Sequence, residues 1–402
     1  MRAPDTTEKP FPWVGLLVLS ALIFSSVTSE FLPTGLLPEI ATELRVSESQ
    51  VGLLVTVFAG TVVLSAAPLS ILTRRHSRKA LVIVVLVVFV IANVLAALAP
   101  NYGFLVAARV LGGLAHGLFW AVVGAYAAHL VPKHQLARAV AITGGGGTAA
   151  FVLGVPLGAA LGHALGWRLA FVVIAAVILV LTVVAARLLP PVQHREVLAT
   201  GEIALPMRED RTVPGVILIG AIIIVVALGH NLLYTYIAPF LLSPVGVDGG
   251  SVALVLFVYG IAGAGGLVFS GTLGDRFPNG TLVAAVTGVA VMVLVIATAS
   301  HIQWIVLVAI FVWGAAFGAL PSLLQARMMH TASPRVRDAA AAYFTTSFNL
   351  AIGLGALVGG LILDRFGIGA LPWADLGLTL VGLVLVIVGN VWLKRRAASS
   401  PS

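Results

Sequence analysis

The 402-residue chain contains no cysteine and few charged residues. Without cysteine it can form no disulfide framework and no thiolate metal site, and it has no cysteine nucleophile. Charged residues make up only 9% of the chain against 60% hydrophobic residues, which excludes an ordinary water-soluble domain because so much apolar surface needs lipid around it. Walker motifs, metal-ligand spacings and nucleophile triads are also missing. The sequence therefore predicts neither an enzyme nor a metal or cofactor site.

Long apolar runs fill most of the chain instead. They have the length of about 20 residues that a helix needs to cross the hydrocarbon core, and they are too continuous for barrel strands. The first run is interpreted as a retained span and not as a signal peptide. A polar linker, 190–213, separates an N-terminal bundle (1–189) from a C-terminal bundle with a short tail (214–402). We predict twelve spans, near residues 13–36, 49–73, 80–99, 104–131, 138–163, 168–189, 214–242, 250–272, 281–300, 303–324, 338–363 and 371–393.

The formal charge of +8 would suggest a nucleic-acid partner in a soluble protein, but here the basic residues lie in short loops between apolar runs. If the N-terminus is cytoplasmic, 19 of the 23 Lys and Arg residues fall on the cytoplasmic side, with Arg45, Arg168 and Arg365 outside and Arg109 within a span. This bias predicts a multi-pass inner-membrane protein with both termini in the cytoplasm, lipid around it and no nucleic-acid partner.

The two halves of the chain are related by an offset of 201 residues. An even number of spans per half gives both copies the same orientation, so the predicted fold is an all-α membrane protein of two pseudo-symmetric six-helix bundles with a substrate site between them. Two fused bundles without a moving interface are the alternative. The offset pairs Pro38 with Pro239, Arg75 with Arg276, Gly113 with Gly314, Gly117 with Gly318, Gly158 with Gly359 and Gly166 with Gly367.

One loop in each half resembles a known signature. The second copy, SGTLGDRFPNG, has the Gly-x-Leu-x-Asp-Arg spacing of the signature loop of the major facilitator superfamily. In the first copy, SILTRRHSRK, Ser70 and Arg74 replace the expected glycine and acid, so the resemblance transfers no gating role to Arg74, and a simple anchoring role for the basic residues is the alternative. The gating candidates are Arg75, Arg78, Gly271, Asp275 and Arg276.

Three other segments resemble the same superfamily. ARVLGGLAHGLFWA is similar to its membrane-embedded arginine motif, and GVPLG within the fifth span is similar to its antiporter motif, through Gly154, Pro156 and Gly158. TSEFLPTGLLPEIA, HGLFW and YTYIAPFL resemble the sugar-efflux and chloramphenicol-resistance branch of the twelve-span drug:proton antiporters. The resemblance implies export of a sugar or hydrophilic drug by proton antiport and alternating access, driven by the proton gradient without a cofactor, by a monomer.

Two charged residues stand out within the predicted spans, namely Glu30 and Arg109. An ionisable group in the bilayer is costly unless paired, so such residues usually face the bundle interior. An acid whose opposite charge can approach or withdraw suits proton coupling, because Arg does not deprotonate and Glu30 is then the titrating partner. His116 lies two turns after Arg109 on the same helix face and is able to relay a proton. The alternatives are an interfacial cap for Glu30, a structural arginine and a packed histidine.

Polar and aromatic residues in both halves are candidates for binding the solute. At the 201 offset Asn231 falls opposite Glu30, so only the first half carries the acid. Each candidate has packing or interfacial anchoring as its alternative role. The candidates are Trp120, Tyr126, His230, Asn231, Tyr234, Tyr236, Trp313, Gln325, Tyr343 and Asn349.

Three rival functions remain at this stage. Proton-coupled or facilitated uptake differs from export only in direction, which no motif specifies. A sensor or receptor would bind a ligand without flux. A membrane-embedded enzyme is disfavoured, since no catalytic polar set clusters at one face of the bilayer.

Overall fold

The computed structural model describes residues 11–190 and 210–398, so the predicted linker lies almost wholly outside the described residues. Within those ranges the chain forms α-helices and no strand. The first half contains α1 (Trp13–Gly35), α2 (Leu37–Leu44), α3 (Glu48–Thr73), α4 (Arg78–Ala97), α5 (Tyr102–Leu130), α6 (Leu136–Ala149), α7 (Val155–Leu165) and α8 (Trp167–Leu188). The second half contains α9 (Val213–Tyr234), α10 (Ile237–Leu242), α11 (Gly249–Arg276), α12 (Pro278–Thr298), α13 (Gln303–Thr331), α14 (Arg337–Phe366) and α15 (Leu371–Ala398).

Twelve spans are long and apolar enough to cross a membrane, as predicted. The first predicted span agrees with α1 to one residue, and the short helix α2 follows it, whereas the seventh is shorter than expected because α9 ends before α10. Pro38 and Pro239 lie in these short helices, and proline lacks the N–H that would continue the preceding helix. The fifth span joins α6 to α7 through a π-helical turn, Ala150–Gly154, just before Pro156.

The packing of helices repeats between the halves. In the first half α1 packs on α6 and α8, α3 packs on α5, and α4 packs on α5 and α8. In the second half α9 packs on α14 and α15, α11 packs on α13, and α12 packs on α13 and α15. Each contact has its counterpart in the other half. The prediction of two pseudo-symmetric six-helix bundles is confirmed.

Single residues repeat at the same offset. A Cβ on Gly113 would lie 2.8 Å from the carbonyl oxygen of Phe58, and a Cβ on Gly314 would lie 2.6 Å from that of Tyr259. All four residues obey the 201 offset, so α5 meets α3 as α13 meets α11. Only glycine permits so close an approach of two helices.

The halves touch at one end of the helices and separate at the other. Thr56 on α3 donates to the carbonyl of Gly353 on α14 over 2.9 Å, and a Cβ on Gly360 would be 3.3 Å from the Cβ of Ser49. Toward the face where α1 begins and α15 ends, Leu64 on α3 is 79% exposed and Val268 on α11 is 70% exposed. We call this face, which the basic residues predict to be cytoplasmic, the predicted cytoplasmic face, and the other the predicted external face. We infer from these exposed side chains a gap between the bundles that opens toward the predicted cytoplasmic face.

Candidate functional site

Arg109 is held by the backbone of α1. Pro33 has no N–H to give to the carbonyl of Ser29 one turn earlier, which leaves that oxygen without its helical donor. Arg109 Nη1 donates to Ser29 O over 2.8 Å, Nη2 donates to Glu30 O over 2.7 Å, and the guanidinium lies 4.2 Å from the centre of the Phe58 ring. In this conformation the guanidinium is withdrawn from the Glu30 carboxylate, because main-chain carbonyls occupy it; the predicted role of the two residues in proton coupling stays a prediction.

Glu30 is buried, with 4% of its surface exposed. Its Oε2 lies 3.4 Å from Nε2 of His116, and its Oε1 has no hydrogen-bond partner among the described residues. A buried ionised carboxylate without full compensation is strongly disfavoured. The site therefore suits a carboxyl group that is neutral while the site is closed.

His116 joins Glu30 to two further side chains and is 1% exposed. Its Nδ1 is 2.8 Å from Ser26 Oγ, and Trp120 donates its indole N–H to Nε2 over 2.6 Å. The rings of Phe58 and Phe89 meet the imidazole edge-on. The predicted alignment of Arg109 and His116 on one face of α5 is present, and both side chains meet α1.

Helix α4 supports this cluster through a residue that the sequence analysis missed. Asn93 accepts from Ser29 Oγ over 2.9 Å and donates to Phe89 O over 2.8 Å. It is 3% exposed, so it is a buried amide whose acceptor is used by α1. An asparagine within the apolar run 80–99 was the signal available in the sequence.

The matching region of the second half is aromatic. His230 stacks on Phe317 with ring centres 3.3 Å apart, and its Nε2 is 3.3 Å from the hydroxyl of Tyr259. Tyr234 and Trp313 pack against the same imidazole. Phe317 stands where His116 stands in the first half, at the 201 offset. The candidates His230, Tyr234 and Trp313 thus come together, with Tyr259 and Phe317 as members that sequence reasoning missed.

Other solute-binding candidates lie elsewhere. Asn231 donates to Ala227 O within its own helix, Asn349 likewise to Thr345 O, and Gln325 is exposed on α13. Tyr126 donates to the carbonyl of Pro190 near the predicted cytoplasmic end, and Tyr343 packs on Gly220 between α14 and α9. These residues are not brought to the Glu30 cluster.

Tyr236 belongs to the contact between the halves. It is fully buried, donates to Ala356 O over 2.8 Å, and its ring end lies against Gly52 of α3 and Gly360 of α14. A side chain packed this closely has no free face for a solute. In this conformation Tyr236 seals the predicted external side and does not line the gap.

Asp375 on α15 is a second buried acid, and it corrects the expectation that Glu30 is the only one in the membrane. It is 0% exposed, and Thr379 Oγ1 donates to its Oδ1 over 3.0 Å. A Cβ on Gly229 would be 2.8 Å from that oxygen, so α9 approaches α15 closely enough to cover the carboxyl. Its position five residues into α15 resembled an interfacial acid in the sequence.

The motif residues divide between packing and exposed loops. A Cβ on Gly154 would overlap Thr28, and one on Gly158 would overlap Leu32, so the glycine-proline motif packs α7 on the part of α1 that carries Glu30. Pro156 lies in the first turn of α7. Gly271, Asp275, Arg276 and Arg75 are exposed at the predicted cytoplasmic face, whereas Arg78 is buried there.

Comparison with known proteins gives one consistent family. The model of the Major Facilitator Superfamily matches residues 19–332 and 219–402. A Helicobacter pylori protein named probable sugar efflux transporter is 31% identical over 94% of this chain and 93% of its own length. A Mannheimia succiniciproducens protein of the same name is 30% identical over 94% of this chain and 91% of its own.

Solved structures agree in fold. The nucleoside transporter NupG superposes with a TM-score of 0.76 at 12% identity, covering 93% of this chain and 98% of its own. A D-xylose-proton symporter superposes with a TM-score of 0.76 at 18% identity, covering 94% and 97%. At these identities the likeness extends to the arrangement of helices alone.

Proposed function

Since this chain belongs to the major facilitator superfamily and is a transporter of small solutes, we propose that it exports a sugar or a hydrophilic drug in exchange for protons. In this proposal the protein lies in a bacterial inner membrane with both termini in the cytoplasm. The two bundles rock about the gap between them, and the proton gradient supplies the driving force without a cofactor. The curated relatives named sugar efflux transporters support the solute class and the direction.

The observation that carries the proposal is the unpaired carboxyl of Glu30. It is buried, one of its oxygens has no partner among the described residues, and the nearby guanidinium is engaged by carbonyls of α1. A carboxylate in a permanent salt bridge would stay ionised and would not bind a proton. The carboxyl of Glu30, in contrast, must be protonated whenever it is closed off from water. Opening to one side or the other then changes where the proton is exchanged.

The geometry supports a simple cycle. Glu30 binds a proton while the gap is open to the outside and carries it across as the bundles rock. When the gap faces the cytoplasm, as the present gap does, the proton-bound Glu30 then gives up its proton and the solute binds. The return movement exports the solute. Arg109 holds the backbone of α1 throughout, so that the carboxyl keeps its position relative to His116.

Proteoliposomes test the proposal. A counterflow screen with labelled pentoses, hexoses and chloramphenicol identifies a transported solute. With an acidic lumen and alkaline medium, wild-type protein should accumulate that solute, and a protonophore should abolish accumulation. Glu30→Gln fixes the neutral form of the side chain, so we expect accumulation to fall at least to the protonophore level while counterflow persists.

Glu43→Gln is the matched control. Glu43 forms an exposed ion pair with Arg168 at the predicted external face, and such pairs contribute little. This variant should accumulate solute as the wild type does. Normal accumulation by Glu30→Gln would contradict the role of Glu30. Accumulation only with an acidic medium would indicate uptake by symport, and binding without counterflow would indicate a sensor.

A further inference from the structure

Nε2 of His116 has two neighbours, one of which needs it without a proton and the other, when ionised, with a proton. The indole N–H of Trp120 donates to this nitrogen over 2.6 Å, and Oε2 of Glu30 lies 3.4 Å from the same nitrogen. An imidazole nitrogen either accepts through its lone pair or donates its proton. Trp120 and an ionised Glu30 therefore cannot both be satisfied by Nε2.

While Glu30 is protonated, the observed hydrogen bonds form one consistent set. Trp120 is only a donor, so Nε2 carries the lone pair and the imidazole proton is on Nδ1. Nδ1 then donates to Ser26 Oγ, 2.8 Å away. The neutral carboxyl of Glu30 lies beside the lone pair without the repulsion that a carboxylate would feel. The described geometry corresponds to the proton-bound cluster.

Release of the proton reverses these bonds. The Glu30 proton passes from Oε2 to Nε2, and the proton on Nδ1 leaves by way of Ser26, so that one proton departs in total. A carboxylate then faces an Nε2–H donor, and the Ser26 hydroxyl turns to donate to Nδ1. The indole N–H of Trp120 has lost its acceptor on His116.

We propose that Trp120 is the residue through which the protonation of Glu30 acts on the transported solute. With the proton bound, His116 holds the indole N–H. With the proton released, the N–H is free to donate to a hydroxyl or carbonyl oxygen of a solute whose apolar face stacks on the indole. Proton and solute then exclude each other, as exchange requires. This inference rests on the proposed antiport and names the side chain that links its two sites.

The surroundings of Trp120 leave room for a solute. The side chain is only partly buried, one turn closer to the predicted cytoplasmic face than His116. One turn further along α5, a Cβ on Gly124 would meet no heavy atom within 4 Å. The indole therefore borders open space on the side toward which the gap opens.

Few ionisable groups face His116 from the helices around it. Helix α1 contributes Glu30, and α5 itself contributes Arg109, whose charge stays constant. Helices α3 and α4 contribute the rings of Phe58 and Phe89, which do not titrate. Helix α6 has one ionisable residue, Arg138, which lies over the rings of Phe11 and Trp13. Glu30 and His116 are thus the groups whose protonation the indole bond reports.

The indole resonance of Trp120 tests the inference without any solute. Solubilised protein labelled with 15N-tryptophan gives signals from its seven tryptophans, and Trp120→Phe identifies the Trp120 signal by its loss. We expect the Trp120 N–H proton resonance to lie downfield at low pH and to move upfield as pH rises. The exposed Trp304 should not follow it. In Glu30→Gln the movement should be lost.

Two serine variants keep the test decisive even where Glu30→Gln folds poorly. Ser26→Ala removes the partner of Nδ1, so the midpoint of the Trp120 titration should shift. Ser25→Ala is its control, because Ser25 Oγ bonds only to Ala21 O within α1, and its midpoint should stay. A Trp120 signal that ignores pH, in a protein that still accumulates solute in acid-lumen liposomes, overturns this inference alone. Absence of pH-driven accumulation would instead overturn the proposed function.

Discussion

Arg109 matters at the scale of one residue because its planar fork matches two adjacent carbonyls of α1. The Ser29 carbonyl lacks a helical donor because Pro33 follows it by four residues. The hydrogen bond from Arg109 therefore depends on the proline. Hydrogen bonds from a charged donor contribute about 1.5–3 kcal/mol. An ammonium group on a flexible stem does not reproduce the fork.

We therefore predict that Arg109→Lys lowers the free energy of unfolding by about 2 kcal/mol although it keeps the charge. Thermal unfolding of the solubilised protein measures the change. Arg75→Lys, an exposed site at the predicted cytoplasmic face, serves as the control and should unfold like the wild type. Equal stability of both variants would mean that charge alone is what α1 needs.

The sequence identified Glu30, Arg109 and His116 as residues of interest because ionisable groups rarely lie within apolar runs. It could not identify their pairing. Arg109 contacts main-chain carbonyls, and His116 lies beside the carboxyl of Glu30. This arrangement depends on the missing N–H of Pro33 and on the rotation of α5 against α1. Asp375 escaped notice because its burial depends on Gly229, a residue 146 positions away.

At the scale of elements, adjacent glycines on α11 differ in what surrounds them. A Cβ on Gly266 would overlap the carbonyl of Ala315 on α13, whereas a Cβ on Gly265 would meet no heavy atom within 4 Å. Two helices in lipid are held by such close packing. Substituting Gly265 and Gly266 separately therefore distinguishes the effect of helix contact from the effect of helix propensity.

Gly266→Ala should accordingly destabilise the protein by about 1–3 kcal/mol, because the added methyl pushes α11 from α13. Gly265→Ala should be neutral or stabilising by up to about 1 kcal/mol, since alanine favours the helix. Melting temperatures of the two variants in the same detergent give the comparison. Equal losses would indicate that α11 and α13 are not packed as described.

The chain segment entering α9 is tied to the loop 332–336 between α13 and α14. Ser333 Oγ donates to Asp210 Oδ2 over 2.6 Å, and the hydroxyl and backbone N–H of Thr212 donate to Oδ1. These hydrogen bonds lower the pKa of Asp210 below its ordinary value, and the one from Ser333 has the largest effect. The attachment is therefore complete above the ordinary aspartate pKa of about 3.9, and it weakens as pH falls through the lowered value.

Hydrogen exchange, corrected for its intrinsic pH dependence, should show loop 332–336 losing protection only in strong acid. Asp210→Asn should lose the same protection already at neutral pH and show no further change on acidification. Asp338→Asn, an exposed residue in the first turn of α14, should behave as the wild type. Protection that is indifferent to Asp210 would mean that the loop is held by other contacts.

Helix positions were predictable from apolar length alone, but helix breaks were not. The run 214–242 is largely apolar, so its division into α9 and α10, like the break between α1 and α2 just after the run 13–36, has only proline as a signal. Proline within a membrane helix often causes a kink without a break; Pro68, for example, lies within α3 and does not end it. Which outcome occurs depends on the tertiary contacts of the following turn.

For the whole molecule, the register of α3 against α14 defines the conformation. Ser49 faces Gly360 and Thr56 faces Gly353, so continuing the antiparallel register by eleven residues, about three helical turns, would bring Ala67 opposite Ala342. Both residues are instead exposed. The two helices touch on the predicted external side and diverge below it.

The absence of cysteine makes this divergence directly measurable. An Ala59→Cys, Gly353→Cys double variant should form a disulfide readily in the absence of solute, because a Cβ on Gly353 would lie 3.3 Å from the Cβ of Ala59, which is close to the separation in a disulfide. An Ala67→Cys, Ala342→Cys double variant should remain reduced. Gel mobility after mild oxidation reports both. The reverse pattern would assign the resting protein to the opposite conformation.

If Glu30 carries the one proton exchanged, as proposed, its asymmetry with Asn231 limits how steep an export gradient can become. A carrier that exchanges one proton for one uncharged solute moves one elementary charge per cycle, so voltage drives it together with pH. One charge crossing 100 mV releases about 2.3 kcal/mol, which at 1.4 kcal/mol per tenfold change sustains roughly a 50-fold solute ratio. Each pH unit adds about tenfold. An acid in place of the amide of Asn231, exchanging a second proton, would square that ceiling, so under the proposed exchange the amide at this position of the second half lowers the steepest solute gradient that the transporter can maintain.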